Sequence, residues 1–267
     1  MIIFSNSKIN IGLNIISKRD DGFHNIQSVF YPIKLSDVFE FSVNEKEYLN
    51  ITGIQLAKNN KNLIIQAYDI LSEKYNLPPL QIHLHKIIPI EAGLGGGSSD
   101  AAYMLKTLNK FFELNISNVE LKSFADKIGS DCSFFIDNKP SYVTGKGEKH
   151  KYLPNFLKGK YLVVIKAKVS ISTKEAFQNM IINKTSVDLS KISEAPIKDW
   201  KQFVTNDFEN YAFEKFPELA EIKNFLYSYG AEYVSMSGSG SAIYGIFNEN
   251  PNILQYKGYF IWNEVLS

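Results

Sequence analysis

The sequence has little of several features that mark specialised classes of protein. Its single cysteine, Cys132, excludes an internal disulfide and fits a reducing compartment such as the cytoplasm. The formal net charge is +1, so bulk electrostatics favour neither nucleic acid nor a membrane surface as a partner. No apolar run approaches the ~20 residues of a membrane helix, and the first residues lack the apolar region of a signal peptide. We therefore expect a cytoplasmic globular protein of 267 residues, built as one large domain or two closely joined ones.

Arginine is almost absent. Of the 29 basic residues, only Arg19 is an arginine, and the others are lysines. Its single occurrence is either chance or a sign that position 19 needs a planar, forked donor, which lysine does not supply.

Glycine, in contrast, is concentrated in one place. Residues 89–102 have the sequence PIEAGLGGGSSDAA, with four glycines in five positions before two serines, an aspartate and a segment of helical pattern. Glycine lets backbone N–H groups point inward, and a helix N-terminus adds unpaired donors and the positive end of its dipole. This combination predicts a nest for an anion, namely the triphosphate of a nucleotide.

Two common phosphate-binding motifs do not match residues 89–102. No Lys-Ser or Lys-Thr pair follows the glycines, which excludes a Walker A loop. Ser98 stands where a dinucleotide fingerprint that starts at Gly93 needs its third glycine. The remaining alternative is a flexible turn before a helix, although a plain connection rarely needs four glycines.

Periodicity and end signals predict the elements around this loop. Residues 183–202 show little pattern and are expected to be a connection. The mixture of hairpins and helices indicates an α+β fold with largely antiparallel sheets. Strands are predicted over residues 8–16, 26–33, 37–43, 80–86, 161–165, 232–236 and 242–247, a turn at 20–22, and helices over 63–75, after the glycine loop, between Ser117 and Gly129, and over 217–229. Asn62 and Ser117 are the expected N-caps of two of these helices. The buried faces are expected to carry Leu63, Ile64, Ala67, Ile70 and Leu71 in the first helix and Ala101, Ala102, Leu105 and Leu108 in the helix after the glycine loop.

Two further segments carry functional residue types. Phe23 and His24 follow the turn, and their aromatic face and imidazole edge suit a planar base. Asp131 either caps the next turn or accepts the proton of an alcohol during phosphoryl transfer. Residues 237–241, SGSGS, form either a hairpin turn or a second set of backbone donors near the phosphates.

Other kinds of site find no support. His83 and His85 share one strand face, but no third metal ligand lies at a diagnostic spacing. Residues 238–240 lack the spacing of a hydrolase nucleophile elbow. Trp200 and Trp262 fit core or surface cover better than a platform for nucleic acid.

Together these segments resemble the GHMP small-molecule kinases. The first family motif, Pro-Ala-Lys-Ile-Asn-Leu followed by Arg-x-Asp-Gly-Tyr-His, is similar to residues 7–11 and 19–24. The Gly-Leu-Gly-Gly-Gly-Ser-Ser loop is intact at 93–99 and the Met-Ser-Gly-x-Gly turn at 236–240, while the aspartate of the Gly-Ala-Asp-Val-Pro segment falls on Asp131. The similarity runs from about residue 5 to residue 247, almost the whole chain.

The Arg-x-Asp-Gly-aromatic-His motif is the more specific part, because it marks a member of the family with a cytidyl substrate. It contains Arg19, which favours a structural need for arginine there, to brace the turn. The departures from the family pattern are modest: Ser7 stands for alanine, Phe23 for tyrosine, and Cys132-Ser133 for a Val-Pro pair.

The resemblance implies a two-lobed GHMP kinase fold. Residues 1–150 would form an N-terminal lobe like ribosomal protein S5 domain 2, and residues 151–267 a ferredoxin-like C-terminal lobe, with nucleotide and substrate meeting between the lobes. It also implies transfer of the γ-phosphoryl group of ATP to the 2-hydroxyl of cytidyl-diphospho-methylerythritol, a step of non-mevalonate isoprenoid precursor synthesis. Mg²⁺ is expected with the ATP, and the protein is expected to be a monomer or homodimer.

The resemblance also assigns roles to residues. Asp131 would be the base, and Lys8 would keep it ionised and steady the transferring charge. Phe23, His24 and Phe177 would sandwich and recognise the cytosine. The other residues expected at the substrate are Asn10, Thr173, Gly238 and Ser239. Those expected at ATP are Asn62, Leu63, Lys86, Pro89, Ile90, Glu91, Ala92, Gly93, Leu94, Gly95, Gly96, Gly97, Ser98, Ser99 and Asp100.

Two alternatives stay open. A GHMP kinase for mevalonate, homoserine or a sugar would explain the glycine loop, but those substrates carry no base for Phe23 to stack on. A catalytically inactive nucleotide-binding homologue would explain the loop as well, but it would not need both Lys8 and Asp131.

Overall fold

The computed structural model describes residues 1–55, 62–180 and 187–267. The strands are β1 Ile2–Lys18, β2 His24–Val43, β3 Tyr48–Gly53, β4 Leu80–Lys86, β5 Ser141–Gly145, β6 Lys149–Tyr152, β7 Tyr161–Lys166, β8 Tyr233–Met236, β9 Ala242–Phe247 and β10 Phe260–Val265. The α-helices are α1 Leu63–Tyr75, α2 Gly96–Phe111, α3 Asn118–Ile128, α4 Cys132–Asp137, α5 Thr173–Asn179, α6 Glu209–Lys215 and α7 Pro217–Ser228.

The chain forms two compact units that alternate along the sequence. The first unit consists of residues 1–7, 35–90 and 95–139, and the second of residues 8–34, 91–94 and 140–267. The predicted lobe boundary after residue 150 stays a prediction. No helix in the described part of the chain has the length and apolar character needed to cross a membrane.

In the first unit, β4 lies between β3, which is parallel to it, and the second half of β2, which is antiparallel. Helices α1 to α4 belong to the same unit. Two of them begin at the predicted caps: the Asn62 side chain accepts a hydrogen bond from the N–H of Ile64 at 3.0 Å, and the Ser117 hydroxyl from that of Glu120 at 3.3 Å. The buried face of α2 is also as predicted, with Ala101, Ala102, Leu105 and Leu108.

A buried ion network ties this unit together. The Lys86 ammonium, 4% exposed, pairs with the carboxylates of Asp37 and Asp100, the second at 2.8 Å. Asp100 also accepts a hydrogen bond from the Ser5 hydroxyl at 2.6 Å, and Asp37 accepts one from the backbone N–H of Ile88 at 2.8 Å. Burial raises the pKa of Asp100 to about 6, against the opposing pull of Lys86. Burial also lowers the pKa of Lys86, but the two carboxylates outweigh it and the pKa is raised.

In the second unit, β10, β7, β9 and β8 form a four-stranded antiparallel sheet in that order. The core beside it draws on strand residues such as Ile165 and Ile243 and on helix residues such as Ile222 and Leu226. The first half of β2 pairs with β5, which pairs with β6, in the same unit. The prediction of an α+β fold with largely antiparallel sheets is confirmed, and β3 and β4 form a parallel pair within it.

Several element predictions need correction. Residues 26–33 and 37–43 lie in one continuous strand, β2, because the alternation of buried and exposed residues continues through residues 34–36. The predicted connection over 183–202 falls partly outside the described residues, at 183–186. From residue 187 it contains two 3-10 helices, Leu189–Glu194 and Ile197–Gln202, which bury Leu189, Ile192 and Trp200. On α1, Leu63 and Ile70 are only half-buried, and Ile65 and Tyr68 are buried in addition to the predicted residues.

We expect Lys86→Met to destabilise the protein by about 3–5 kcal/mol, because it leaves the buried carboxylates of Asp37 and Asp100 without their cation. Urea unfolding measures this change. The control is Lys110→Met, an exposed lysine in the last turn of α2. If both variants unfold at the same urea concentration as the wild type, the buried network does not stabilise the fold.

Candidate functional site

The glycine loop enters the second unit as Glu91–Leu94, where backbone hydrogen bonds fix it on both sides. The N–H groups of Ser241 and Ala242 donate to the carbonyls of Glu91 and Ala92 at 3.1 and 3.2 Å. The N–H of Lys8 donates to the carbonyl of Leu94 at 3.0 Å. The strand that carries Lys8 and the chain at the end of the second glycine turn thus hold residues 91–94 in place.

Gly93 approaches the second glycine turn so closely that only glycine fits. A Cβ at this position would lie 1.8 Å from the carbonyl oxygen of Ser237, and the residue has φ of +73°. The carbonyl of Gly93 accepts hydrogen bonds from the Ser237 hydroxyl at 2.8 Å and from the Lys8 ammonium at 3.1 Å. The glycine loop and the glycine turn at residues 237–241 therefore contact each other directly. This contact is required if the turn is to supply a second set of backbone donors near the phosphates.

The loop continues into the first unit as the N-terminus of α2. Gly95 is the N-cap in the left-handed region, and Gly96 is the first residue of the helix. Ser99 is buried, and its hydroxyl donates to the carbonyl of Asn6 at 2.6 Å. The backbone N–H of Ser99 donates to the carbonyl of Gly95 at 2.9 Å, so both of its donors are engaged within the protein. Residues 95–98, in contrast, are half-buried. The contacts of Ser99 and Asp100 with ATP stay predictions.

Asn62 and Leu63, predicted at ATP, lie next to this helix start. Asn62 caps α1, and a Cβ at Gly97 would make an ordinary 3.4 Å contact with Leu63. A Cβ at Gly96 would lie 3.0 Å from Ile88, which leaves less room. Lys86 also belongs to this unit, and its ammonium lies in the ion network with Asp37, so its contact with ATP stays a prediction.

Asp131 occupies the N-cap position of α4 without making a side-chain capping hydrogen bond, so capping does not account for this carboxylate. The residue is half-buried. Gly129, two residues before it, lies beside the glycine loop: a Cβ there would be 3.9 Å from the Ser98 hydroxyl. The N-termini of α2 and α4 therefore meet within the first unit. Cys132 is fully buried, and burial raises the pKa of its thiol to about 12, which fits a packing role.

Lys8 and Asn10 form a buried polar pair in the second unit. The Lys8 ammonium donates to the side-chain oxygen of Asn10 and lies 4.6 Å from the centroid of the Phe30 ring. The Asn10 amide donates to Ser28 at 3.0 Å, and its backbone N–H donates to Ser237 at 3.1 Å. Asn10 thereby places the ammonium against the carbonyl of Gly93.

The predicted base-binding turn is braced by the single arginine. Arg19 donates from Nε to both carboxylate oxygens of Asp21, at 3.1 and 3.0 Å, and from Nη1 to Asn25 at 3.1 Å. Asp21 in turn accepts the backbone N–H of Phe23 at 3.1 Å. This forked contact needs a guanidinium, which supports the structural explanation of why arginine was kept at position 19.

Three aromatic side chains predicted to bind the base, those of Phe23, His24 and Phe177, differ in their surroundings. The Phe23 side chain is 54% exposed, with the Lys146 ammonium 4.9 Å from its centroid. The His24 ring stacks on Phe177, with centroids 4.9 Å apart and an angle of 16°. To hold a base between them, two rings must lie about 7 Å apart, because each face of the base needs its own van der Waals contact. The His24 and Phe177 rings are closer than this, so a base that stacks on this face of Phe177 has to take the place of His24. Burial, with a contribution from Lys18, lowers the pKa of His24 and favours its neutral form.

Thr173 and Ser239, both predicted at the substrate, contact each other through their hydroxyls at 3.2 Å. Asn206 holds the glycine turn that carries Ser239. Its side-chain amide donates to the carbonyls of Met236 and Gly238, both at 2.8 Å. Sequence reasoning missed Asn206, because it lies outside every motif and its partners are distant in sequence.

Comparisons with known proteins support the resemblance to the GHMP kinases. The model of the GHMP kinases N terminal domain matches residues 62–139, and that of the GHMP kinases C terminal domain matches residues 191–256. The 4-diphosphocytidyl-2-C-methyl-D-erythritol kinase of Parabacteroides distasonis is 43% identical over 271 residues, which cover 100% of both chains. The kinase of the same name from Bacteroides thetaiotaomicron is 44% identical over 252 residues, 92% of each chain.

A solved structure is also similar. The crystal structure of a 4-(cytidine 5'-diphospho)-2C-methyl-D-erythritol kinase matches with a TM-score of 0.77 and 29% identity, over 92% of this chain and 90% of the other. The motifs, the fold and these similarities lead to one conclusion: the chain belongs to the GHMP kinases, in the branch of the 4-diphosphocytidyl-2-C-methyl-D-erythritol kinases.

Proposed function

We propose that the protein transfers the γ-phosphoryl group of ATP to the 2-hydroxyl of 4-diphosphocytidyl-2-C-methyl-D-erythritol, a step of non-mevalonate isoprenoid synthesis. The observation that carries the proposal is the braced aromatic turn of Arg19, Asp21 and Phe23 in a chain that also has the kinase glycine loop. The 43% identity to a kinase named for this substrate supports the same acceptor. A cytoplasmic location is part of the proposal, since the reaction consumes ATP.

In the proposed reaction, the Asp131 carboxylate accepts the proton of the substrate hydroxyl. The oxygen then forms a bond to the γ-phosphorus while the bond to the bridging oxygen of ADP breaks, and ADP leaves. The backbone N–H groups at the start of α2 stabilise the phosphate oxygens, with the positive end of the helix dipole behind them. Lys8 adds a fixed positive charge, which Asn10 and the carbonyl of Gly93 hold in place.

Mg²⁺ belongs to this proposal as the companion of ATP. Proteins usually hold it through one or two carboxylates together with the substrate phosphates, where it neutralises charge that develops on the phosphoryl group. Asp131 and the hydroxyl of Ser98 are oxygen donors of the type that Mg²⁺ accepts. Within the described residues there is no cluster of three or more His, Cys, Asp or Glu that could hold a metal.

The alternatives predict different chemistry. Mevalonate, homoserine and sugars, the substrates of other GHMP kinases, carry no base that Phe23 and His24 could bind. An inactive homologue does not need a general base at position 131.

An assay of ADP release with a panel of acceptors separates these functions. We expect turnover with 4-diphosphocytidyl-2-C-methyl-D-erythritol and none with mevalonate, homoserine or galactose. Turnover with another member of the panel instead would contradict the proposed substrate, and no turnover with any acceptor would support an inactive homologue.

Asp131→Asn should lower kcat by about 10²- to 10⁴-fold, the usual contribution of a general base, because the amide cannot take the hydroxyl proton. Binding of ATP and of the cytidyl substrate should persist, and titration calorimetry measures both. Asp126→Asn, an exposed change on the neighbouring helix α3, is the control. A kcat for Asp131→Asn that equals the control would show that another group is the base.

Phe23→Ala should raise the KM for the cytidyl substrate and leave the KM for ATP unchanged, because stacking of a base is worth about 1–3 kcal/mol. His24→Ala should in addition relax the preference for CMP over UMP as competitors, since a hydrogen-bonding site rejects ligands that leave its groups unpaired. Phe4→Ala removes a similarly exposed ring on β1 and is the control. An increase in the KM for ATP alone would assign this turn to the adenine.

A further inference from the structure

The segment that leads into α5 is held by two buried side chains to which the proposed mechanism gives no role. Lys166, at the end of β7, is 8% exposed, and its ammonium donates to the carbonyls of Ala167 at 2.9 Å and Val169 at 2.7 Å. The hydroxyl of Ser241, which is fully buried, donates to the same Val169 carbonyl. Two donors from different parts of the chain therefore converge on one backbone oxygen.

Ser241 joins this segment to both glycine motifs. Its backbone N–H donates to the carbonyl of Glu91 at 3.1 Å, in the first glycine loop. It also directly follows Gly240 of the second glycine turn, where a Cβ would lie 3.3 Å from Ile171. With the contact between Thr173 and Ser239, residues 169–173 meet the second glycine turn at three points.

Burying the Lys166 ammonium costs free energy of desolvation, which indicates that this position specifically requires a lysine. Burial lowers the pKa of its ammonium, and the charge of Glu91 opposes this only in part. A lysine that only filled space would be replaced by an apolar residue without this cost. An ammonium can donate to two carbonyls at once and so fix the bend of the chain before α5, which an apolar side chain cannot do.

We propose that Lys166 and Ser241 are positioning residues: by clamping the carbonyl of Val169, they set the place of α5 and thereby of Thr173 and Phe177 at the acceptor. The role rests on the proposed function, in which α5 contacts the cytidyl substrate. Neither side chain touches the substrate in this account. Both act through the path of residues 167–172, which Ser172 continues by capping α5 through the N–H of Glu175 at 3.2 Å.

Steady-state kinetics of Lys166→Met and Ser241→Ala test the proposal. Each change removes one donor to Val169, and each should raise the KM for the cytidyl substrate about tenfold, the effect expected from one lost buried hydrogen bond. The KM for ATP should stay at the wild-type value, because the backbone contact of residue 241 with Glu91 remains. The effects of the two changes on this KM should not add in the double variant, since both donors act on one oxygen.

Matched controls are Lys168→Met and Ser170→Ala, exposed residues of the same segment. The proposal is overturned if the two test variants have the acceptor KM of these controls, or if the KM values for ATP and acceptor rise together. Ser241→Ala decides the question alone if Lys166→Met fails to fold. If the wild type uses another acceptor of the panel, the proposed substrate is wrong, and the same variants then test the positioning role through the KM of that acceptor.

Discussion

The site depends on one close approach of backbone to backbone, that of Gly93 to Ser237. No side chain at position 93 could coexist with a carbonyl oxygen 1.8 Å from its Cβ, so the two glycine motifs are constrained together. The same contact presents the carbonyl of Gly93 to the buried ammonium of Lys8. From there the chain passes through Gly95, the N-cap, into α2. The first N–H groups of a helix have no acceptor within the helix and can donate to a ligand. In the proposed function they bind the triphosphate, and the regular helix backbone lets them do so at low reorganisation cost.

Charge is distributed differently in the two units. In the first, the buried cation Lys86 is matched by Asp37 and Asp100, and the network stabilises the fold around the start of α2. In the second, Lys8 and Lys166 are buried against carbonyls and amide oxygens. The contacts with the Asn10 oxygen and the Gly93 carbonyl hold the Lys8 ammonium in place, as its proposed role at the transferring phosphoryl group requires.

Local signals in the sequence were enough for the elements with clear ends. Asn62 and Ser117 were predicted as N-caps, and the glycine loop predicted the start of α2. The continuous strand β2 was predicted as two pieces, because the polar residues Lys34 and Ser36 stand between the two apolar stretches. The stacking of His24 on Phe177 and the clamp on Val169 join residues far apart in the chain, which no local pattern encodes. Motifs therefore identified the residue types of the site, whereas their partners required the fold.

The central claim, that the start of α2 binds the triphosphate, is tested most directly at Gly97. Its Cβ would make only an ordinary contact with Leu63, whereas Gly96 is confined by Ile88, so a valine at position 97 blocks access to the helix N–H groups with little effect on packing. Calorimetric titration of Gly97→Val with ATP should give a Kd raised at least about tenfold, or 1.4 kcal/mol, at an unchanged urea midpoint. Lys110→Val introduces the same side chain at an exposed position in the last turn of the same helix and should bind ATP as the wild type does. A folded Gly97→Val protein with wild-type affinity for ATP would contradict the account.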